Sequence, residues 1–312
     1  MPNAVFVCGA TGTQGGAIAR HLRQAGVPVH ALVRDPSSPK AKNLENIGVT
    51  TFPGAYEDED ALKRALQGAK SAFLNFMPDM NDRHHELQQV KTVLAAAKEA
   101  GVEHVVYASA FGIDEAAPPP AGLDPDGLVA QFMEVKAAAV GAVVSAGFES
   151  YTILRPAKFM DDFIGRRSVW FGGLATTGVF DTAFREGVGI EFVDTEDIGA
   201  FGAAALTDRE RFGGQKVDIF SEVVPLEKAI GMVAGVTGKK LSARFLPDAE
   251  VQERKEAGDL FIQIQIMMRD TPAPADIERV RSWGVPLGSF EKFAEREKAG
   301  LIETYAKVSN DE

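Results

Sequence analysis

Short apolar runs alternate with segments of helical periodicity along the first half of the chain. The runs have the length and composition of buried strands, whereas the segments between them repeat apolar residues every three or four positions. The predicted strands are residues 4–8, 28–33, 49–52, 71–76, 102–109 and 151–155. The clearest predicted helices, each followed by a glycine, are residues 17–25, 58–67, 82–100 and 127–146. This alternation predicts an α/β fold in which helices cover both faces of a parallel sheet.

The second half of the chain has a less regular pattern. Residues 190–193 and 241–246 have the composition of strands, and helices are predicted to begin at Asp194 and Pro225. Residues 260–268 alternate Ile with Gln, as a strand does, but they also place apolar residues on one helix face. We predict a helix there because no turn residues bracket the segment. The predicted organisation is a sheet-forming domain, residues 1–156, and a smaller C-terminal α/β lobe, residues 157–312, with some segments returning to the sheet.

Three glycines follow the first predicted strand at intervals of three residues. Gly9, Gly12 and Gly15 lie between that strand and the first helix, which is the context of a dinucleotide-binding turn. The first glycine permits the tight turn, the second lets a pyrophosphate approach the backbone, and the third lets the helix pack close to its strand. Free N–H groups near Thr13 would then bind the phosphates. The fold class is therefore a Rossmann-like, doubly wound parallel sheet with an NAD(P)-binding domain at residues 1–156.

The end of the second predicted strand is where such a fold selects its cofactor. Arg34 lies there, 19 residues after Gly15, and an arginine accommodates the 2′-phosphate of NADP, whereas an acidic residue would bind the ribose of NAD. Ser37, Ser38 and Lys40 add two hydroxyls and a second cation. The alternative interpretation is a solvated loop with chance charges. We predict NADP(H), with NAD(H) as the alternative cofactor.

Charge and composition narrow the classes of partner. The formal net charge of −11, without a local cluster of Lys and Arg, disfavours direct nucleic-acid binding. Cys8 is the single cysteine and lies in a predicted core strand, so no disulfide framework can form within the chain. No apolar run approaches a membrane span, and Met1 leads directly into a strand. Adjacent His84 and His85 lack ligand spacing, so no metal site is predicted. We expect a soluble protein of the cytoplasm, with the nucleus as the alternative.

Several segments resemble the NmrA-like group of atypical short-chain dehydrogenases. They include Gly-Ala-Thr-Gly-Thr-Gln-Gly-Gly at residues 9–16 and Ala-Leu-Val-Arg-Asp-Pro at residues 31–36. The other matching segments, which follow in the family's order, are residues 96–104, 154–156, 192–198 and 277–287, the last of which resembles the tail of fungal members. One departure lies at Gly54 and Ala55, where relatives commonly carry Gly-Asp. The aspartate that would contact the adenine is therefore missing.

This resemblance implies a Rossmann domain with a smaller C-terminal lobe over the nicotinamide, but it does not imply one activity. Some family members reduce quinones, dyes or plant phenolics with NADPH, and others are NAD(P)(H)-binding regulators without demonstrated turnover. The fingerprint, the predicted strand ends and the resemblance together assign to cofactor binding Gly9, Thr11, Gly12, Thr13, Gln14, Gly15, Arg34, Lys40, Asn75, Phe76, Ser109, Lys136, Pro156 and Phe159.

Catalytic members of the wider short-chain superfamily use a Tyr-x-x-x-Lys pair on the helix before the sixth strand. The lysine holds the nicotinamide ribose and lowers the pKa of the tyrosine, which exchanges a proton with the substrate. Here the corresponding residues are Phe132 and Lys136, so the lysine is present and the tyrosine is not. Ser109 matches the position of a substrate-orienting serine, although Ala-Ser-Ala is also an ordinary strand end.

Two functional hypotheses follow, of which we favour the first. In the first, Lys136 is the catalytic residue of an NADPH-dependent reductase, and it polarises an oxygen or relays a proton while a quinone or conjugated aromatic acceptor takes hydride. In the second, Lys136 binds the ribose, and the protein reports the NADPH/NADP+ balance to a protein partner through movement of residues 118–122 and of later loops. A solvated Lys136 without either role is the third interpretation. Side chains that would suit a flat aromatic substrate or, equally, a plain core are Phe76, Phe111, Phe159, Met160 and Phe163.

Overall fold

A computed structural model describes residues 3–77, 79, 82, 84–113, 124, 127–270 and 276–310. Its strands are β1 Ala4–Val7, β2 Val29–Val33, β3 Thr50–Pro53, β4 Ala69–Leu74, β5 His104–Ala108, β6 Ser150–Pro156, β7 Lys158–Phe159, β8 Val179–Thr182, β9 Gly189–Val193, β10 Gln215–Ile219, β11 Glu222–Pro225 and β12 Ser242–Phe245. Its α-helices are α1 Thr13–Gln24, α2 Pro39–Asn46, α3 Glu59–Leu66, α4 His85–Glu99, α5 Leu128–Ser145, α6 Leu174–Thr177, α7 Thr195–Thr207, α8 Arg209–Phe212, α9 Leu226–Thr237, α10 Asp248–Glu256, α11 Leu260–Asp270, α12 Ile277–Ser282, α13 Phe290–Arg296 and α14 Lys298–Thr304.

A seven-stranded sheet in the order β3-β2-β1-β4-β5-β6-β10 forms the centre of the molecule. Every pair of neighbouring strands in it is parallel. Because β1 has β2 on one side and β4 on the other, the strand order reverses beside β1, which is where ligands bind in this architecture. The predicted Rossmann-like α/β fold is confirmed.

The two faces of this sheet carry separate hydrophobic cores. Ile18, Leu22 and Phe201 belong to the core between the sheet and the pair α1 and α7, whereas Leu62, Val90 and Val140 belong to the core under α3, α4 and α5. A third core, rich in phenylalanine, holds the C-terminal region together around β9, α9, α13 and α14. The parallel strands are therefore packed between helices on both faces of the sheet.

The edge strand β10 is a strand that the sequence pattern did not predict. It pairs with β6 in parallel, from Gln215 opposite Thr152 to Ile219 opposite Pro156. Only Val217 and Ile219 of its five residues are buried apolar side chains. An edge strand covered on one face alternates polar and apolar residues over a short length, so its signal is weak.

The apolar periodicity of α5 predicts a buried face of Leu128, Phe132, Val135, Ala139 and Val143, and the observed face differs from it. Leu128 is 46% exposed, and the buried stripe is instead formed by Val129, Met133, Lys136, Ala139, Val140 and Val143. The buried face is therefore rotated about the helix axis relative to the predicted face. It includes Lys136, at a buried position that an apolar side chain would normally hold. The helix predicted at residues 260–268 is confirmed as α11, which packs against α5.

The expectation that no apolar segment approaches a membrane span requires a correction. Residues 128–145 are 18 residues long with a mean hydropathy of 1.5, so they meet the length and composition of a membrane-spanning helix. In this fold α5 packs against α4, α11 and the strands β5 and β6. Those contacts explain the apolar composition of α5.

Candidate functional site

The glycine turn after β1 requires glycine for two separate physical reasons. Gly9 has φ of 62°, in the left-handed region that favours glycine. A Cβ on Gly15 would lie 2.5 Å from the Gly9 carbonyl oxygen and 2.6 Å from that of Cys8, so only glycine lets α1 pack this close to β1. The Gly12 N–H donates to the Gly9 carbonyl at 2.8 Å and closes the turn. The predicted roles of the first and third glycines match this geometry.

The N-terminus of α1 is open toward the carboxyl edge of the sheet. Its N-cap is Gly12, which provides no side-chain hydrogen bond, and its first turn contains no acidic residue. The side-chain Oε1 atom of Gln14 is buried and has no hydrogen-bond partner among the described residues. Thr11 and Thr13 flank Gly12 and are partly buried. Free backbone N–H groups at a helix N-terminus suit a phosphate-bearing ligand. The Gln14 oxygen is an acceptor, so it suits a hydroxyl or an amide N–H group of the same ligand.

Tyr56 holds the glycine turn in place, and sequence reasoning missed this role. The Gly9 N–H donates to the Tyr56 hydroxyl at 2.8 Å, and burial raises the pKa of that hydroxyl well above its ordinary value. The same hydroxyl is a hydrogen-bond partner of the Cys8 thiol, whose pKa burial raises to about 12. The ring packs edge-on against Phe76, with 5.1 Å between the centroids. Tyr56 therefore connects the ends of β1 and β4.

The departure from Gly-Asp at Gly54 and Ala55 lies immediately before this tyrosine. Gly54 has φ of 149°, and a Cβ there would lie 2.4 Å from the Cβ of Ala61. Glycine thus lets the loop pass close over α3, and the next residues carry the tyrosine to the turn. An unusual pair before a tyrosine was the one available signal, but the contact spans 47 residues of sequence.

Two exposed cations follow β2, where the cofactor-selecting residue was predicted. Arg34 and Lys40 are exposed and make no hydrogen bond or ion pair with any described residue. The charge of Arg34 contributes to lowering the pKa of the neighbouring Glu57, after the hydrogen bond from Gln89. Arg34 and Lys40 are therefore available to a ligand.

The two serines of this loop serve the loop itself. The Ser38 hydroxyl donates to the Asp35 carbonyl and accepts from the Ala41 N–H at the start of α2. The Ser37 hydroxyl donates to the Asp35 carboxylate at 2.6 Å, which lowers the pKa of that carboxyl. The prediction that both hydroxyls are offered to a phosphate is not supported by these contacts.

The carboxyl ends of β4, β5 and β6 bring the remaining predicted cofactor residues to the same edge. Asn75 is partly buried beside the glycine turn, since its carbonyl oxygen lies 3.5 Å from the position of a Cβ on Gly9. Ser109 follows β5 and is 5% exposed, and its Oγ has no hydrogen-bond partner in the described part of the chain. Pro156 ends β6, and Phe159 lies against the guanidinium of Arg167 at 5.0 Å. Ser109 thus places a second unsatisfied polar atom at this edge.

Lys136 is buried in an ion pair, which sequence reasoning did not anticipate. Its Nζ lies 2.5 Å from Oε1 of Glu86, and the two side chains are 6% and 1% exposed. The Tyr107 hydroxyl donates to the same Oε1 at 3.0 Å. The Lys136 ammonium also lies 5.6 Å from the ring centroid of Tyr107 and 5.9 Å from that of Phe132. Lys136 is therefore not a solvated surface lysine.

Glu86 is the second functional candidate that the sequence pattern did not single out. It lies in the first turn of α4, whose buried residues are Glu86, Val90, Val93, Leu94 and Ala97. An acidic residue in the apolar stripe of a helix is the signal that could have identified it, because buried carboxylates are rare without a partner. The apolar periodicity of residues 82–100 predicts a stripe of Leu87, Val90, Leu94 and Ala97 that leaves Glu86 out, whereas Leu87 is only partly buried.

Other sequence candidates fall outside this edge. Met160 and Phe163 are fully buried in the C-terminal core, where Phe163 stacks on Phe171 with 3.9 Å between ring centroids. The core interpretation is therefore the correct one for both. The loop at residues 118–122 lies outside the described residues. Within the described ranges, no group of three or more His, Cys, Asp or Glu is placed to hold a metal ion.

Comparison with known proteins identifies the group to which this fold and site belong. The family model described as the NmrA-like family matches residues 1–282. The (4-alkanoyl-5-oxo-2,5-dihydrofuran-3-yl)methyl phosphate reductase of Streptomyces griseus is 28% identical over 239 residues, which cover 76% of this chain and 75% of that protein. Fungal oxidoreductases of the family are among the other relatives.

Two solved structures show the same fold at low sequence identity. The NADPH-dependent quinone oxidoreductase of Escherichia coli complexed with NADPH has a TM-score of 0.72 and 20% identity, covering 94% of this chain and 99% of that one. NmrA, a negative transcriptional regulator in complex with NAD, has a TM-score of 0.74 and 18% identity, covering 98% and 97%. Since the family model also spans most of the sequence, the chain belongs to the NmrA-like family.

Proposed function

We propose that this protein binds NADP(H) at the carboxyl edge of its central sheet and uses it to reduce a quinone or another conjugated acceptor. The observation that carries the binding site is the N-terminus of α1, whose cap provides no side-chain hydrogen bond and whose first turn contains no acidic residue. Gln14 adds a buried acceptor oxygen without a partner in the described part of the chain, which suits a hydroxyl or an amide N–H group of the ligand. Ser109, which follows β5, adds a second unsatisfied polar atom, and β4 separates it from the glycine turn after β1. The N–H groups of the helix fit the phosphates of a dinucleotide, and the Gln14 and Ser109 oxygens fit its hydroxyl and amide groups.

The preference for NADP(H) rests on the two cations beyond β2. Arg34 and Lys40 are exposed and form no ion pair within the described residues, so a 2′-phosphate would meet both without displacing an internal partner. The loop that carries them is already ordered by Ser38 at the start of α2. Little backbone entropy is then lost on binding, and the entropy that binding costs is that of the Arg34 and Lys40 side chains.

The reduction of a conjugated acceptor is supported by the chemistry that the chain must provide. Reduced nicotinamide, when bound, supplies the hydride, so the protein needs to position the acceptor and stabilise charge on it. The candidate for charge stabilisation is Lys136 at the N-terminal half of α5. The quinone oxidoreductase and the furanone-phosphate reductase among the similar proteins act, by their names, on conjugated carbonyl compounds.

The cofactor assignment is tested by Arg34→Ala, with Lys42→Ala as the matched control. Lys42 lies on the same helix α2 as Lys40 but is paired with Glu45 at 3.0 Å. We expect Arg34→Ala to weaken NADPH binding at least tenfold, about 1.4 kcal/mol, and to leave NADH binding within twofold. Lys42→Ala should change neither affinity. An equal loss of NADPH and NADH affinity in Arg34→Ala, measured by calorimetry, would refute the 2′-phosphate contact.

A non-catalytic sensor of the NADPH/NADP+ balance is the second candidate function. It is favoured by the absence of a tyrosine at Phe132 together with the internal ion pair of Lys136. The regulator NmrA shares the fold. A panel of quinones should oxidise NADPH in the presence of the protein if the first proposal is right. No turnover across the panel, alongside different affinities for NADPH and NADP+, would favour the sensor.

A further inference from the structure

The pair of Glu86 and Lys136 lies at the functional edge of the sheet. Both α4 and α5 follow parallel strands and return antiparallel to them, so the first turns of these helices lie near the carboxyl ends of β4 and β5. Glu86 is in the first turn of α4, Lys136 is in the first half of α5, and Tyr107 is the penultimate residue of β5. All three side chains meet at one oxygen, Oε1 of Glu86.

We propose that Glu86 is a positioning residue that keeps Lys136 charged and fixed, so that Lys136 stabilises negative charge on the acceptor instead of transferring a proton to it. This inference rests on the proposed reductase function. A charge-assisted hydrogen bond of 2.5 Å in a buried site holds the Lys136 ammonium in position against the carboxylate. The ammonium retains further N–H donors besides the one that Glu86 accepts.

The surroundings of Lys136 contain few other groups that could change its charge. Among the described residues, α4 supplies Glu86 and β5 supplies Tyr107 to its immediate neighbourhood. The arginine of β6, Arg155, pairs with Asp218 on β10. On α11 the charged side chains Arg269 and Asp270 pair with one another. Tyr151 of β6 packs with the core beneath α5. Glu86 is thus the carboxylate that determines the state of Lys136.

Among the described side chains that contact Lys136, none is placed to give a proton to the acceptor. Phe132 carries no hydroxyl, and the Tyr107 hydroxyl donates to Glu86 from a fully buried position. Burial, followed by the Glu86 charge, raises the pKa of Tyr107 well above its ordinary value. Its proton therefore stays within the cluster.

This arrangement selects acceptors whose reduced form is a stabilised anion. The hydride forms a C–H bond at the carbon conjugated to the carbonyl, the C=C pair shifts to a new C=C bond at the carbonyl carbon, and the C=O pair moves onto oxygen. Water later protonates the resulting anion and leaves hydroxide. A quinone or an enone gives a delocalised, weakly basic anion that a fixed ammonium can stabilise. An isolated ketone gives a localised alkoxide, which needs a proton as it forms. We therefore expect quinones and enones, but not isolated ketones, as substrates.

The variant Glu86→Gln removes the charge and retains the shape, and Glu99→Gln is the matched control on the exposed end of α4. With lysine labelled by 13C and 15N, and with Lys136→Met to assign the signal, the amine should lose its proton about one pH unit or more lower in Glu86→Gln. The basic side of the kcat/KM profile with a quinone should move by the same amount. Glu99→Gln should match the unmodified protein in both measurements.

The outcomes separate this inference from the proposed function. A shifted amine titration without any turnover would overturn the reductase function alone, because the titration does not depend on catalysis. Turnover with an unshifted amine and an unshifted profile would overturn the role of Glu86. Equal turnover of an isolated ketone and a quinone would contradict the fixed-charge role of Lys136. If Glu86→Gln does not fold, Glu86→Asp should give a smaller shift in the same direction, and no shift would again refute the proposal.

Discussion

The carboxyl edge of the central sheet has two halves that treat their polar groups in opposite ways. Around β1 and β2, the N-terminus of α1, the amide oxygen of Gln14 and the cations Arg34 and Lys40 have no partners within the described residues. Around β4 and β5, Glu86, Tyr107 and Lys136 meet in a buried cluster at Oε1 of Glu86, while Oε2 of Glu86 and Oγ of Ser109 have no partner among the described residues. We call the first the open half, because its charged groups have no internal partner in the described part of the chain, and the second the closed half, because its charged groups pair with one another.

The difference indicates which tasks depend on an external molecule. A helix N-terminus and unpaired cations gain little from their own fold, so their stabilisation comes with the ligand. A buried ion pair is different, since removing one partner leaves an uncompensated charge in a site of low dielectric. We expect changes in the first half to alter cofactor affinity and changes in the second half to alter stability and the protonation of Lys136.

The largest effect is expected where the open half depends on close packing. In Gly15→Ala, the new Cβ would lie 2.5 Å from the Gly9 carbonyl oxygen, and backbone on both sides would have to shift. We expect the free energy of unfolding to fall by about 3 kcal/mol and NADPH binding to be lost. Gly141→Ala is the control, because nothing lies within 4 Å of a Cβ at that helical position. It should be neutral or stabilising by up to about 1 kcal/mol in denaturant unfolding. Equal behaviour of the two variants would contradict the packing role of Gly15.

A matched pair of Tyr→Phe substitutions tests the two halves directly. Tyr56→Phe removes the acceptor of the Gly9 N–H, so the turn loses its anchor, and the Kd for both NADPH and NADH should rise about fivefold. Tyr107→Phe removes a donor to the Glu86 carboxylate, so the free energy of unfolding should fall by about 2 kcal/mol, while the Kd for NADPH stays within twofold. Calorimetry and urea unfolding of both variants give the comparison. A loss of NADPH affinity in Tyr107→Phe alone would reverse the assignment of the two halves.

The open half was predictable from the sequence because its chemistry is local. Three glycines at fixed spacing and an arginine at the end of the next strand lie within a stretch where strand and helix follow one another directly. The parallel sheet followed from the same alternation of patterns. The serines beside Arg34 were misassigned because Ser and Asp side chains bond to their own loop, which spacing does not reveal.

The closed half was not predictable in the same way, since its contacts join distant segments. Glu86 and Lys136 are 50 residues apart, and each lies on a helix whose other buried residues are apolar. A charged residue in an apolar helix face interrupts the periodic pattern, so the pattern alone does not identify that residue as part of a functional site. Lys136 could be identified because it occupies the position of the family's lysine. Its partner Glu86 could be identified only from the structure, in which α4 packs against α5.

The smallest expected effect on stability concerns the outer face of α1. Unlike the N-terminus of this helix, that face has its polar side chains paired. The His21 hydrogen bond at 3.2 Å and the charge and hydrogen bond of Arg20 lower the pKa of Glu196, at the start of α7, to about 2. A carboxyl whose pKa is lower in the folded state stabilises the fold above its unfolded pKa, and this stabilisation is lost as the pH falls toward 2.

Because the Glu196 side chain is 39% exposed, solvent screening reduces the contribution to about 1 kcal/mol or less. The difference in unfolding free energy between the unmodified protein and Glu196→Gln should therefore be present at pH 6 and shrink toward pH 3. A difference that is constant over this range would show that the pairing of α1 with α7 does not depend on the charge of Glu196.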